Sequence, residues 1–543
     1  MLDHPITLVT FLPLAVALGL LSTGRRLPEG VWRAFGLVGT LATFVLSTGL
    51  WFRYDLVQSG YQFVEHATWF PDFGIHYFVG IDGISLVLLL LTTFLMPLAL
   101  LGTWRDVQRG TRAYVFCMLA LETGMIGAFV SLDLFVFYVF WEAMLIPMYF
   151  LIGVWGGPRR VHAALKFFLF TMFGSLLMLV AMLVLVRVHA EQSGVPSFDL
   201  VALPGSPLGG LLDTSLPAFG EAVWWKTEPA LFAAFALAFA VKIPIVPFHT
   251  WLPEAHVEAP TPASVLLAGI LLKMGSYGFV RFALPLFPNA AMASADLFFT
   301  LSLVGILYGS LVAMVQADMK KLVAWSSIAH MGFIVLGIFA LDDQGISGAV
   351  LQMLNHGLST GALFLLVGFL YTRRHTRQIS EFGGVARPMP VYAALFGIVA
   401  MASIGLPGLN GFVGEFLILL GTFSAAPRVA VLATFGVVLA AAYMLWMYRR
   451  VMFGPVDTPE NRGLIDLGWR ERSVMLALIL PMLWIGLYPH PVLRRIEPAV
   501  VQVMRQMDAR TSHATVAAPA HGEGAPAGGE DASGAGASAS GER

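Results

Sequence analysis

The sequence predicts an all-α polytopic membrane protein of about 14 transmembrane helices. Three observations carry this. Hydrophobic residues make up 57% of the chain and charged residues 12%, about half the roughly 25% charged fraction of a soluble protein. Mean hydropathy is +0.78. Apolar runs long enough to cross a bilayer recur along the chain, and basic residues collect in alternate connections between them.

The runs lie near 4–22, 32–52, 82–104, 112–131, 133–155, 163–187, 229–250, 259–283, 296–316, 321–341, 346–371, 389–420, 427–449 and 473–490. Each is about the 20 residues that a hydrocarbon core requires. The first, Ile6 to Leu21, has no basic region before it and reads as a span, not a cleavable signal. Odd-numbered connections carry the arginines and lysines: Arg25, Arg26 and Arg33; Arg105, Arg109 and Arg112; Arg159 and Arg160; Lys320 and Lys321; Arg373, Arg374, Arg377 and Arg387; and Arg449, Arg450, Arg462, Arg470 and Arg472. Even-numbered ones hold scattered single charges such as Arg53, Arg187, Lys226 and Arg428. The positive-inside rule then places odd connections in the cytoplasm and both termini outside. Arg494 and Arg495 run against it. From about Met507 the chain turns rich in Ala, Gly and Ser, and 507–543 reads as a flexible tail.

Two runs are interrupted. In the seventh, Lys242 is followed by Pro244 and Pro247, and proline breaks a helix by removing a backbone donor. In the twelfth, Gly405, Pro407, Gly408, Gly411 and Gly414 precede Glu415. Being five spans apart, the two run in opposite directions, as in an inverted-repeat transporter fold.

Charges at membrane depth are costly and are usually paired or functional. Glu142 is about nine residues into its span, roughly 14 Å deep, and Lys242 is about 13 residues into its own. Burial disfavours the ammonium and a carboxylate within about 4–6 Å favours it, so Glu142 is the expected partner and its withdrawal would release a proton. Glu122 is similarly deep, with Thr123 beside it as a local partner. Lys273 and Glu415 are further intramembrane charges, and His330 and His356 fit a proton relay, although a lone membrane histidine also serves as a helix–helix hydrogen bond. Lys166 lies near a span end, where its stem can snorkel to the interface. Together Glu142, Lys242, Lys273, His330, His356 and Glu415 suggest a hydrated polar axis in the membrane plane.

His249, Glu254, His256 and Glu258 match no metal-helix spacing, and Pro253 and Pro260 favour a packed polar loop, of the kind that could admit protons, over a helix. Asp318, Lys320 and Lys321 read as a topology anchor. The single cysteine, Cys117, forms no intrachain disulfide, and no cysteine cluster exists for iron–sulfur or zinc ligation. With no Walker sequence and no convincing dinucleotide fingerprint, no metal or redox cofactor is expected in this chain. A net charge of −1 gives no hint of nucleic acid.

Three stretches carry a family resemblance: Phe140-Trp141-Glu142-Ala143-Met144-Leu145-Ile146-Pro147; Lys242-Ile243-Pro244 with Phe248-His249-Thr250-Trp251-Leu252-Pro253; and Ser326-Ser327-Ile328-Ala329-His330-Met331-Gly332. They resemble the antiporter-like subunits of proton-pumping NADH:quinone oxidoreductase, respiratory complex I, over about residues 1–500. Glu415 resembles the M-type branch, since the L and N chains typically carry lysine there. The resemblance implies two inverted five-helix repeats, each with a broken helix: 112–283 and 296–452, preceded by helices in 1–111 and followed by a last span with an amphipathic end in 473–506. It implies that Glu142 and Lys242 form a coupling pair, that Lys273 and His330 relay protons, and that Glu415 is the exit-side carrier. NADH, FMN, iron–sulfur clusters and quinone are expected in other subunits. The partners are other membrane-arm subunits and the bilayer of a bacterial inner membrane. An Mrp-type cation/proton antiporter subunit and a membrane-bound hydrogenase subunit are the alternatives.

Overall fold

The computed structural model describes residues 4–22, 28–58, 60–104, 106–202, 209–217, 223–456 and 459–516. Arg25, Arg26, Arg105 and residues 517–543 of the expected tail lie outside them. Eleven helices among the described residues are long and apolar enough to cross a membrane: Pro5–Ser22, Glu29–Arg53, Gly83–Gly102, Thr111–Val130, Leu134–Trp155, Arg160–Ser193, Thr261–Leu286, Ala295–Met314, Met319–Phe339, Asp343–Arg374 and Pro427–Met452. Trp469–Leu487 and the helix that starts at His490 make a twelfth if counted together, bent by 71° at their junction. The other expected spans fall short because they are broken. Glu228–Lys242 stops after 15 residues. The twelfth run is split into Pro390–Ser403 and Asn410–Ala425.

Three helices begin where an aspartate supplies an acceptor for their unpaired N–H groups. Asp82 accepts from Ser85 N at 2.9 Å. Asp133 accepts from Val136 N at 2.8 Å. Asp318 accepts from Lys320 N at 2.7 Å, so the expected topology anchor is also a helix cap. Lys320 folds inward and donates to the Ala259 carbonyl at 2.6 Å.

Thr261–Leu286, Met319–Phe339 and Asp343–Arg374 are buried almost throughout and form the centre. Pro5–Ser22, Glu29–Arg53 and Pro427–Met452 are buried over only a third of their apolar windows. They turn outward residues such as Val38, Val45, Phe435 and Val438, a face that suits lipid or another membrane subunit.

Three expectations need correction. The chain is not wholly helical: β1 (Gln62–Phe70) and β2 (Ile75–Ile81) form an antiparallel hairpin. Its turn uses Gly74, at φ 64°, a conformation glycine adopts without a steric cost. The segment after the first break is not a loop, because Trp251–Glu258 is helical; Pro253 lies in the first turn, where its missing N–H is not required. The composition boundary at Met507 falls inside a helix running from His490 to Val516. Val492, Ile496, Val500, Val503 and Met507 are buried at helical spacing, and Arg510 donates to the Leu212 and Thr214 carbonyls at 2.8 and 2.6 Å. Arg495, which opposes the charge rule, lies 3.6 Å from the centre of the Trp51 ring.

Candidate proton-transfer site

Lys242 is the last residue of Glu228–Lys242. The chain then leaves the helix, with Ile245 N reaching back to the Ala240 carbonyl at 2.9 Å. The lysine is 1% exposed, its Nζ has no hydrogen-bond partner, and the ammonium sits 4.8 Å from the centre of the Trp141 ring. Next to Trp141, Glu142 lies one residue before the end of Leu134–Ala143, where that span is interrupted before Leu145–Trp155. Its Oε1 is buried without a partner. Trp141 thus brings Glu142 and Lys242 into one neighbourhood, with no hydrogen bond directly between their charged ends. A cation over an aromatic face gains about 0.5–2 kcal/mol, less than full compensation for an ammonium removed from water.

Thr123 does not satisfy Glu122. Both Glu122 oxygens and the Thr123 hydroxyl are buried without a partner. Lys166 pairs with Glu254 at 2.8 Å in addition to reaching outward.

Lys273 lies between two π-helical turns, Leu267–Leu271 and Phe279–Ala283, a distortion common at functional positions. Its Nζ contacts the Ala268 carbonyl and lies 2.5 Å from His356 Nδ1. Glycines permit this approach. A Cβ on Gly357 would lie 2.8 Å from the Gly269 carbonyl, so the Lys273 and His356 helices meet backbone to backbone. A Cβ on Gly275 would lie 2.7 Å from the Phe239 carbonyl, which seats the Lys273 helix against the broken Lys242 helix. The His356 and His330 rings are 5.4 Å apart between centroids, and each Nε2 is buried without a partner. His330 Nδ1 is 3.0 Å from Glu415 Oε1. Glu415 stands in Asn410–Ala425, just past the second break, and also accepts from Gln352 Nε2 at 3.1 Å.

Four of the six expected site residues therefore form one row, Lys273–His356–His330–Glu415. Lys242 and Glu142 stand beside its Lys273 end across the Gly275 contact. Sequence reasoning missed Gln352, Asn355 and Asn410. Asn355 and Asn410 cross-link the two helices at the second break, each donating to the other's carbonyl at 2.7 and 3.2 Å. The signal was present: Gln352, Asn355, His356, Ser359 and Thr360 recur at i, i+3, i+4, i+7 and i+8, a polar stripe on an otherwise apolar helix.

The residues weighed as a metal loop point apart. His249 packs on Tyr308 and Trp325, and His256 stacks on Phe364 at 4.6 Å. Glu258 accepts from Arg159 N at 2.9 Å.

Residues 131–440 match the family described as NADH:quinone oxidoreductase/Mrp antiporter, transmembrane. The chain belongs to this family. Over 94% of its length it is 46% identical to NADH-quinone oxidoreductase subunit M of Rhodobacter capsulatus, spanning 98% of that protein. It is 43% identical to NADH-ubiquinone oxidoreductase chain 4 of Arabidopsis thaliana over 84% of its length and 88% of that protein. A chain of respiratory complex I from Thermus thermophilus with bound NADH superposes with a TM-score of 0.81 at 34% identity, covering 92% of this chain and 99% of that one. A chain of the Mrp complex from Dietzia superposes at 0.76 with 20% identity, covering 93% and 99%, which shows a shared fold.

Proposed function

We propose that this chain is a proton-translocating membrane-arm subunit of an NADH:quinone oxidoreductase. The observation that carries the reading is the row Lys273–His356–His330–Glu415, which runs from the helix packed against the first broken span to the second broken span through buried groups that can each hold or pass a proton. The 46% identity to a subunit M supports the redox-driven reading over the Mrp-type antiporter and the hydrogenase, which share the family's architecture. Flavin, iron–sulfur clusters and quinone belong to other subunits, and other antiporter-like chains are its neighbours in the arm.

The finer architecture belongs to the same reading. Counting both broken runs and the bent last pair as spans gives 14 helices, with inverted repeats over 112–283 and 296–452. Odd connections face the cytoplasm of a bacterial inner membrane and both termini face the periplasm.

Glu142 and Lys242 form the input. With the Trp141 ring beside the ammonium and no hydrogen-bond partner on its Nζ, the charge of Glu142 decides how firmly Lys242 holds its proton. A neighbouring subunit that shifts Glu142 loosens that proton toward Lys273. Lys273 donates to His356 across their 2.5 Å contact. Transfer between the two imidazoles needs one bridging water, and His330 then protonates Glu415 directly. Direct hops work at about 2.6–3.2 Å or through one water, and these contacts fall in that range or just below it.

His356→Leu tests the row, since leucine fills much of the buried volume and carries no proton. In assembled complex in membrane vesicles, NADH-driven proton translocation should fall about tenfold or more, equivalent to roughly 1.4 kcal/mol or more on the transfer barrier. Unchanged translocation at normal assembly would contradict the row as the path.

A further inference from the structure

We propose that His66, His76 and Asp199 form a binding site for a divalent transition-metal ion of the zinc type, outside the membrane spans at the base of the Glu142 helix. The hairpin register builds half of it. His66 is paired with Phe78 and His76 with Thr68, so the two histidines are diagonal neighbours on one face of the sheet. Their rings are 4.7 Å apart between centroids. Phe78, 2% exposed, packs edge-on against His66 as an apolar floor.

Asp199 comes from the segment after Arg160–Ser193 and is fixed by backbone bonds. Phe198 N donates to the Gly74 carbonyl at 3.0 Å, and Leu200 N to the Leu132 carbonyl at 2.8 Å. Asp199 is 6% exposed. Its Oδ2 lies 2.8 Å from His76 Nδ1, while its Oδ1 is buried with no hydrogen-bond partner. A simple His–Asp pair does not require a second imidazole beside it and leaves that oxygen unexplained.

One ligand atom from each of the three residues lies within 4.8 Å of the others. Zinc ligands at about 2.0–2.2 Å in a tetrahedron stand roughly 3.3 Å apart. Binding an ion would draw in His66, the exposed member, and open the 2.8 Å contact between His76 and Asp199 by about half an ångström. Two imidazoles and a carboxylate suit zinc and leave a fourth position for water. Spacing did not reveal the site in the sequence because His76 and Asp199 are 123 residues apart.

Asp133 supports the arrangement. Its Oδ2 accepts from the His76 backbone N at 3.0 Å and its Oδ1 caps the Glu142 helix through Val136 N. A bound ion would therefore pin the hairpin, the Asp199 segment and the start of that helix together.

The test uses the purified assembled complex, treated with EDTA and titrated with Zn²⁺, with bound zinc counted per complex. Wild type should take up one equivalent more than His66→Ala, or bind that equivalent at least tenfold more tightly. His66 is exposed, so its replacement leaves the packing intact. His76→Gln, which keeps the backbone bond to Asp133, should show the same loss. Equal zinc uptake and affinity in wild type and both variants would overturn the proposal. The readout is binding, so its failure leaves the proton-transfer reading untouched.

Discussion

Arg281→Met should cost about 3–5 kcal/mol, the usual penalty for removing one partner of a buried ion pair, and should deplete the chain from assembled complex. Arg281 Nη2 lies 2.6 Å from Asp82 Oδ1, with side-chain exposures of 2% and 3%. The guanidinium also donates to Tyr61 at 2.9 Å, Tyr277 at 3.1 Å and Ser85 at 3.2 Å. Its planar fork satisfies three elements at once, which a lysine cannot do. The substitution strands the Asp82 carboxylate in the interior and frees Tyr61. Asp82→Asn in the same chain removes the stranded charge, so the double variant should recover much of the loss. The check is the thermal midpoint and membrane abundance of the complex for both variants. Normal abundance and an unshifted midpoint for Arg281→Met would contradict the argument.

Lys242→Met should have the opposite profile, with the fold kept and pumping lost. The Lys242 ammonium has no hydrogen-bond partner. Leaving a buried polar group unsatisfied costs about 1–3 kcal/mol, and more for a charge. Methionine has a similar length and no charge, and it can lie against the Trp141 ring through its polarisable sulfur. The complex should therefore assemble as well as wild type or better. A residue whose loss does not weaken the structure but stops proton transfer holds a functional charge. Arg281, whose loss weakens the structure, holds the scaffold.

The sequence made the individual charges legible because a lysine, a glutamate or a histidine stands out in an apolar run. The two broken helices were legible for the same reason, from Pro244, Pro247, Gly405 and Pro407. Partner choice was not, since it depends on how closely helices approach. Nothing local says that Gly357 meets the Gly269 backbone, and that contact is what brings His356 to Lys273. The contact of the Trp141 indole with Lys242 was hidden for a similar reason: Trp141 follows the apolar pattern and gives no sign of facing a cation. Composition placed the start of the tail at Met507, inside a helix, because alanine and polar residues continue a helix whose buried stripe of Val500, Val503 and Met507 is only visible at helical spacing. The hairpin was missed because its strands, of 9 and 7 residues, are much shorter than the spans on either side of them and the first is largely exposed.

The most direct measurement is NADH-driven proton translocation in sealed membrane vesicles, wild type against Lys242→Met, with equal content of assembled complex shown first. The expected result is loss of at least nine-tenths of the proton signal, accompanied by loss of most quinone reductase activity, as in a tightly coupled pump. Full translocation by the assembled variant would make Lys242 a structural residue and contradict the account at its centre.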